Sequence, residues 1–197
     1  MHSGCNLRSA WEVCLNVIHP AGIHCVIELP DTAYLPMNMS YGSLLLKEGN
    51  ISSENYEKIV CCYPRLYCLQ NTLSHNFCFI ASGAITINGH NSTIRSVDQS
   101  LYSNRPLILC NTTQAIIIPE LSVNNLIVTG FYSDISDGGA MSFVGDIDLL
   151  LSDITFIDNN SSSSGGAVSI DRNSYRSRIH KCIFKSCQSE GISFLFQ

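Results

Sequence analysis

The stretch Phe156-Ile157-Asp158-Asn159-Asn160-Ser161-Ser162-Ser163-Ser164-Gly165-Gly166-Ala167-Val168 decides the reading of this chain. Its two ends recur upstream as Phe131-Tyr132-Ser133-Asp134 and Gly138-Gly139-Ala140-Met141. A decayed copy follows as Phe184-Lys185-Ser186-Cys187 and Gly191-Ile192-Ser193-Phe194. The phenylalanines stand 25 and 28 positions apart (131 to 156, 156 to 184) and the glycine pairs 27 apart (138 to 165). A phrase returning at such a period marks stacked supersecondary units, none of which can bury its apolar face alone.

Between these landmarks the chain is a succession of short β-favouring runs divided by Gly, Asn, Ser and Asp. They include Ala84-Ile85-Thr86-Ile87, Leu107-Ile108-Leu109-Cys110, Leu126-Ile127-Val128, Met141-Ser142-Phe143-Val144, Asp148-Leu149-Leu150-Leu151, Ile154-Thr155-Phe156 and Cys182-Ile183-Phe184. Strands this short, repeating about every 26 residues, predict about three strands per turn, with turns stacked in parallel about 4.8 Å apart. The expected fold class is all-β, a right-handed parallel β-helix. A β-sandwich also has many short strands, but has no reason to repeat one phrase at a fixed period.

Towards the N-terminus, Leu7 to Ile18 reads as a helix ended by His19-Pro20-Ala21-Gly22. Residues 1–24 are therefore expected to cap the first open edge of the stack. Cys25-Val26-Ile27-Glu28-Leu29 reads as the first strand of a β-helix over 25–197. A cysteine-rich insertion, with one helical turn, is expected at 43–76, and the clearest repeats at 126–194.

The pairing of FxxN with GGA[IVM] resembles the repeat of polymorphic outer-membrane-protein-like passengers, and is similar, more loosely, to pectin-lyase-like β-helices. The resemblance covers 126–194 and, less specifically, Ile85-Thr86-Ile87-Asn88-Gly89. It implies that Phe131, Phe156 and Phe184 form an internal aromatic ladder. It also implies a turn ladder at Asn159, where Asp134 and Cys187 replace asparagine. Gly138, Gly139, Gly165 and Gly166 would shape the strand entry. The physics agrees: glycine permits close approach and positive φ, and asparagine tolerates the left-handed region.

Of the residues, 45% are apolar, enough for a continuous core, and only 14% are charged. The net charge is −5 with no basic stripe, so no nucleic-acid partner is expected. No run of about 18 apolar residues exists to span a membrane. Met1 to Cys14 contains His2, Arg8 and Glu12 and lacks the uninterrupted apolar stretch of a signal peptide, so the start is expected to be internal or truncated. Seven of the ten cysteines lie before residue 80: Cys5, Cys14, Cys25, Cys61, Cys62, Cys68 and Cys78. Without any CxxC pair they read as disulfide candidates in an oxidising compartment, or as small buried apolar groups. Cys182 and Cys187 flank the Phe184 strand and read equally as a local disulfide or as interior residues. Asn-x-Ser/Thr sequons at Asn38, Asn50, Asn91, Asn111, Asn159 and Asn160 also favour a secreted or surface protein.

Because polysaccharide lyases and glycosidases share this scaffold, paired carboxylates matter. The candidates are Asp146, Asp148 and Asp153, with Asp158 beyond, each otherwise a solvated turn residue. A polygalacturonase-type cluster is missing, and Asn88-Gly89-His90 is only a fragment of such a pattern. Arg172, Arg176 and Arg178 read as a projecting loop rather than a proton acceptor set. His2, His19, His24, His75, His90 and His180 have no metal-ligand spacing, so no metal or cofactor is expected. The expectation is a non-catalytic extracellular or cell-surface module, adhesive or structural, with glycans or surface proteins as partners. The alternatives are a carbohydrate-active enzyme, or a degenerate relative, and a fragment of a longer surface protein. The apolar end Gly191-Ile192-Ser193-Phe194-Leu195-Phe196-Gln197 suggests an edge that further chain or a partner covers.

Overall fold

In the extended conformation alternate side chains face opposite ways, so the runs above can bury one row only if neighbouring strands align their rows. A computed structural model describes residues 7–14, 24–37, 44–47, 57–60, 67–70, 84–97, 105–112, 120–172 and 176–191. It contains one helix, α1 (Leu7–Val13), and sixteen strands. In chain order these are β1 (Cys25–Glu28), β2 (Tyr34–Met37), β3 (Leu44–Lys47), β4 (Glu57–Val60), β5 (Tyr67–Gln70), β6 (Ala84–Ser96), β7 (Ile108–Thr112) and β8 (Glu120–Thr129). Then come β9 (Tyr132–Ser133), β10 (Met141–Gly145), β11 (Asp148–Ile157), β12 (Asn160–Ser161), β13 (Val168–Asp171), β14 (Ser177–His180), β15 (Ile183–Lys185) and β16 (Gln188–Ser189). The described chain is all-β apart from the helix, and all its sheets but one are parallel.

The largest sheet runs β1-β6-β8-β11-β14, with β2 beside β6 and β15 beside β11. A second sheet runs β13-β10-β7-β3 and a third β16-β12-β9. From β8 onward the chain visits the large sheet, then the small one, then the second, and returns to the large sheet beside its previous strand.

The register makes the interior a set of columns. One reads Cys25-Ile85-Leu121-Leu149, the next Ile27-Ile87-Val123-Leu151, a third Leu126-Ile154, and a fourth Leu35-Ile94-Val128-Phe156-Phe184. Most of these side chains are buried, and the outward rows between them carry Thr86, Ser122, Thr93, Ile127 and Thr155. Phe156 and Phe184 stack with ring centroids 5.1 Å apart and planes 8° from parallel.

Here the expected ladder needs correction. Phe131 does not join Phe156: the β8–β11 register puts Val128 opposite Phe156. Phe131 instead aligns with Asn159 and Cys187, because β12 pairs Asn160 with Tyr132 and with Gln188. Asp134 therefore does not take the place of Asn159, whereas Cys187 does. Buried Asn159 accepts the Phe131 N–H at Oδ1 (3.0 Å) and donates Nδ2 to the Val128 carbonyl (2.9 Å). It thus satisfies backbone groups that a sharp corner takes out of the strand ladder.

The corners repeat as columns of positive φ. Asn125, Asp153 and Lys181 form one and Gly130, Asp158 and Ser186 another, each at steps of 28 residues. Gly138 and Gly165 form a third, and Gly145 and Arg172 a fourth, each at 27. A single left-handed residue bends the strand, so β11 runs past Asp153 as one element where the sequence suggested two. Gly139 has a separate reason to be glycine: an added Cβ would lie 2.2 Å from the Gly166 carbonyl oxygen and 2.3 Å from that of Asn160.

At the N-terminal side α1 buries Leu7, Ala10, Trp11 and Val13 and packs on β1, an edge strand of the large sheet. The Cys14–Cys25 disulfide ties the two together. The helix is described over Leu7–Val13, and residues 15–23, with the rest of the expected span to Ile18, lie outside the described part. Within 43–76, β3 pairs with β7 in the second parallel sheet. β4 and β5 form an antiparallel pair, and the rest of 43–76, where a helical turn was expected, lies outside the described residues. Cys5, Cys61, Cys62 and Cys78 lie outside the described residues, as do 192–197, and Cys68 lies on β5.

Three outcomes follow for stability. Phe156→Ala should lower the unfolding free energy by about 3–5 kcal/mol, and Gly139→Ala by about 2 kcal/mol or more because backbone must shift, both read from urea midpoints. Replacing Cys14 and Cys25 together by Ala opens a short loop and should cost about 3 kcal/mol, measured in the same way.

Candidate functional site

The large sheet bends at the corner column Asn125-Asp153-Lys181 with one residue per strand. One strand earlier, in β6, the same corner holds three residues. Asn88 pairs with Asn124 and Ser92 with Leu126, so Gly89, His90 and Asn91 stand against Asn125 alone. His90 and Asn91 both take left-handed φ, 49° and 59°. Gly89 lies so close to the next strand that a Cβ would meet the Asn125 carbonyl oxygen at 2.3 Å. In the first strand pair the corner is wider again: Leu29 to Ala33 separate β1 from β2. The Thr32 N–H donates to the His90 carbonyl (3.0 Å) and the Leu29 N–H to that of Asn88 (2.9 Å). The two widened corners are thus bonded to each other, and His90 and Asn91 stand exposed on them as a ridge.

Polar side chains gather on this ridge. Asn124 Nδ2 donates to Asn88 Oδ1 (3.3 Å), and Asn88 Nδ2 donates to Glu28 Oε1 (2.9 Å). Glu28 Oε2 meets His90 Nε2 at 2.6 Å, and His90 Nδ1 faces Asp31 Oδ1 at 3.6 Å. Nearby, His24 Nε2 lies 2.8 Å from Thr86 Oγ1. Glu28, Asn88, Asn124, Ser152 and His180 occupy the same outward row on successive strands. The result is a row of polar groups, hydrogen-bonded without a break from Glu28 through Asn88 to Asn124, with the Glu28 and His90 side chains 39% and 44% exposed. Such a surface binds by hydrogen bonds to a polar ligand. Sequence reading met Asn88-Gly89-His90 only as a fragment of a catalytic pattern. The register, which shows three residues facing one, was not visible in the string.

The carboxylates singled out for catalysis are engaged elsewhere. Asp153 is a corner residue with φ 54°, and its Oδ2 accepts the Ser152 hydroxyl (2.6 Å). Asp148 lies 3.8 Å from Arg178 and is mostly buried. Asp146 lies in the turn between β10 and β11 and also has a polar partner. Asp158 is a corner residue of the second column, and Arg172 pairs with its neighbour Asp171 at 3.3 Å. Burial pushes the Cys182 thiol pKa up, which disfavours the reactive thiolate. Among the described residues no three His, Cys, Asp or Glu side chains gather to hold a metal ion, and no helix is long and apolar enough to cross a membrane.

The sequons separate by environment. Asn91 is exposed on the ridge, Asn159 is fully buried, and Asn160 is half-buried with Oδ1 accepting the Gln188 N–H (3.1 Å). Asn111 lies on β7, and Asn38 and Asn50 fall outside the described residues. Compared with known proteins, the chain matches no family model, no curated protein and no solved structure.

Proposed function

We propose that this chain is a right-handed parallel β-helix acting as a non-catalytic extracellular or cell-surface module, which holds glycans or other proteins on the ridge of Glu28, Asn88, His90 and Asn124. Right-handedness is supported by topology: the path from β8 through β9 and β10 to β11 returns to a parallel neighbour in the same sheet, and such crossovers are right-handed in nearly all proteins. The Cys14–Cys25 disulfide favours an oxidising compartment.

The observation that carries the binding reading is the unbroken hydrogen-bonded strip across three neighbouring strands of the large sheet. Its partners come from β1, β6 and β8, so it is held at the rigid spacing of the sheet, about 4.8 Å per strand. Rigid polar groups at fixed spacing suit a ligand that itself presents repeated hydroxyl or amide groups. Catalysis finds less support, because Asp148 and Asp153 are occupied by Arg178 and Ser152.

A screen of glycans and polysaccharides that records binding and turnover together tests this. Binding without turnover is expected, with Asn88→Ala or Glu28→Ala weakening it on the order of tenfold, the equivalent of about one hydrogen bond. Turnover abolished by Asp148→Asn would replace this reading with a carbohydrate-active enzyme.

A further inference from the structure

Asn91 begins the sequence Asn91-Ser92-Thr93 at the apex of the three-residue corner. We propose that Asn91 is an N-glycan acceptor and that buried Asn159, in an equally valid sequon, is not; the inference rests on the extracellular reading above. In the reaction the Asn91 amide nitrogen forms a bond to the anomeric carbon of a lipid-pyrophosphate-linked oligosaccharide. The lipid pyrophosphate leaves, and the amide nitrogen loses one proton.

Three features of the corner suit the modification. Asn91 is exposed and held at φ 59°, a conformation that asparagine accepts at little cost. The corner holds two residues more than that of the next strand, where Asn125 stands alone, and His90 and Asn91 are the exposed ones. The residue between acceptor and hydroxyl, Ser92, faces inward: its hydroxyl donates to the Pro30 carbonyl and accepts the Ala33 N–H. The corner therefore stays anchored while Asn91 carries a large substituent on the solvent side. Thr93 sits on the outward row opposite Ile127 and Tyr34.

Asn159 differs in every respect. Its side chain is fully buried, and Nδ2, the atom that would carry the sugar, donates to the Val128 carbonyl at 2.9 Å. A glycan on that fully buried nitrogen would have to push between neighbouring strands, disturbing the bonds that Asn159 makes to the Val128 carbonyl and the Phe131 N–H. A sequence scan scores the two sites alike, and the fold separates them.

The test is expression of the full chain behind an added secretory leader in animal cells. The secreted protein is released from its glycans by an amidase in heavy-oxygen water and mapped by peptide mass. Asn91 is expected to convert to heavy-oxygen Asp, and Asn159 to remain unmodified. Thr93→Ala should abolish the Asn91 mark, and Thr93→Ser should keep it. Secreted protein with Asn91 unmodified, or with Asn159 glycosylated, overturns the proposal. The leader delivers the chain whatever its native location, so either failure counts against the site itself. The extracellular reading is tested separately by whether antibody reaches the protein on intact native cells.

Discussion

The structure depends on one constraint: every strand of the large sheet must bend at the same place as the strand beside it. A parallel ladder tolerates no local slip, because a shift of one residue would turn each apolar column to solvent. The columns of left-handed residues enforce that agreement. Asn125, Asp153 and Lys181 have no side-chain chemistry in common, yet all sit at φ 50–54°. Their shared property is geometric. Asn and Asp enter this region readily, while Lys181 is held there by the ladder on one side only, through β14 and β15 against β11.

That constraint also explains what the sequence showed and what it hid. The alternation of apolar residues and the period of the GGA phrase were legible, because each interior column needs an apolar side chain and each close approach needs glycine. The pairing of Phe156 with Phe184 was legible for the same reason. The place of Phe131 was not. Phe131-Tyr132-Ser133-Asp134 looks like Phe156-Ile157-Asp158-Asn159, but the backbone register is 28 while the two phenylalanines are 25 apart. Both phenylalanines are buried, so composition offers no sign of the three-residue offset. The β4–β5 pair escaped similarly, since Glu57-Lys58-Ile59-Val60 has no period-two alternation to announce a strand.

The ridge follows from the same rule, applied where it is relaxed. Residues added within a strand would break the columns. Residues added at a corner leave the interior columns intact, because the register resumes on the far side of the bend. Variation is therefore channelled to the corners, and in this chain it concentrates at the N-terminal side of the large sheet. There Leu29 to Ala33 and Gly89 to Asn91 stand where Asn125 alone suffices one strand later. A function carried by such additions is invisible to repeat analysis, which attends to what stays constant.

Burial in such a stack belongs to position more than to residue. Phe156 and Phe184 share a column, a residue type and a stacked contact, yet Phe156 is 0% exposed and Phe184 42%. Among the described residues Phe156 lies between two strands, β8 and β15, whereas Phe184 pairs with β11 on one side. Stability in this arrangement is close to a sum over neighbouring pairs, so each strand contributes fully only when both its sides are occupied. At the N-terminal side α1, with Trp11 buried, packs against β5 and β1, and the Cys14–Cys25 link holds it to β1. A helix can end a stack because it leaves no backbone groups unpaired along its flank, which a further strand could not do. The helix thus lies against β1 beside the widest corner, with its Glu28, Asp31 and His90, while Cys25 and Ile27 beneath stay buried.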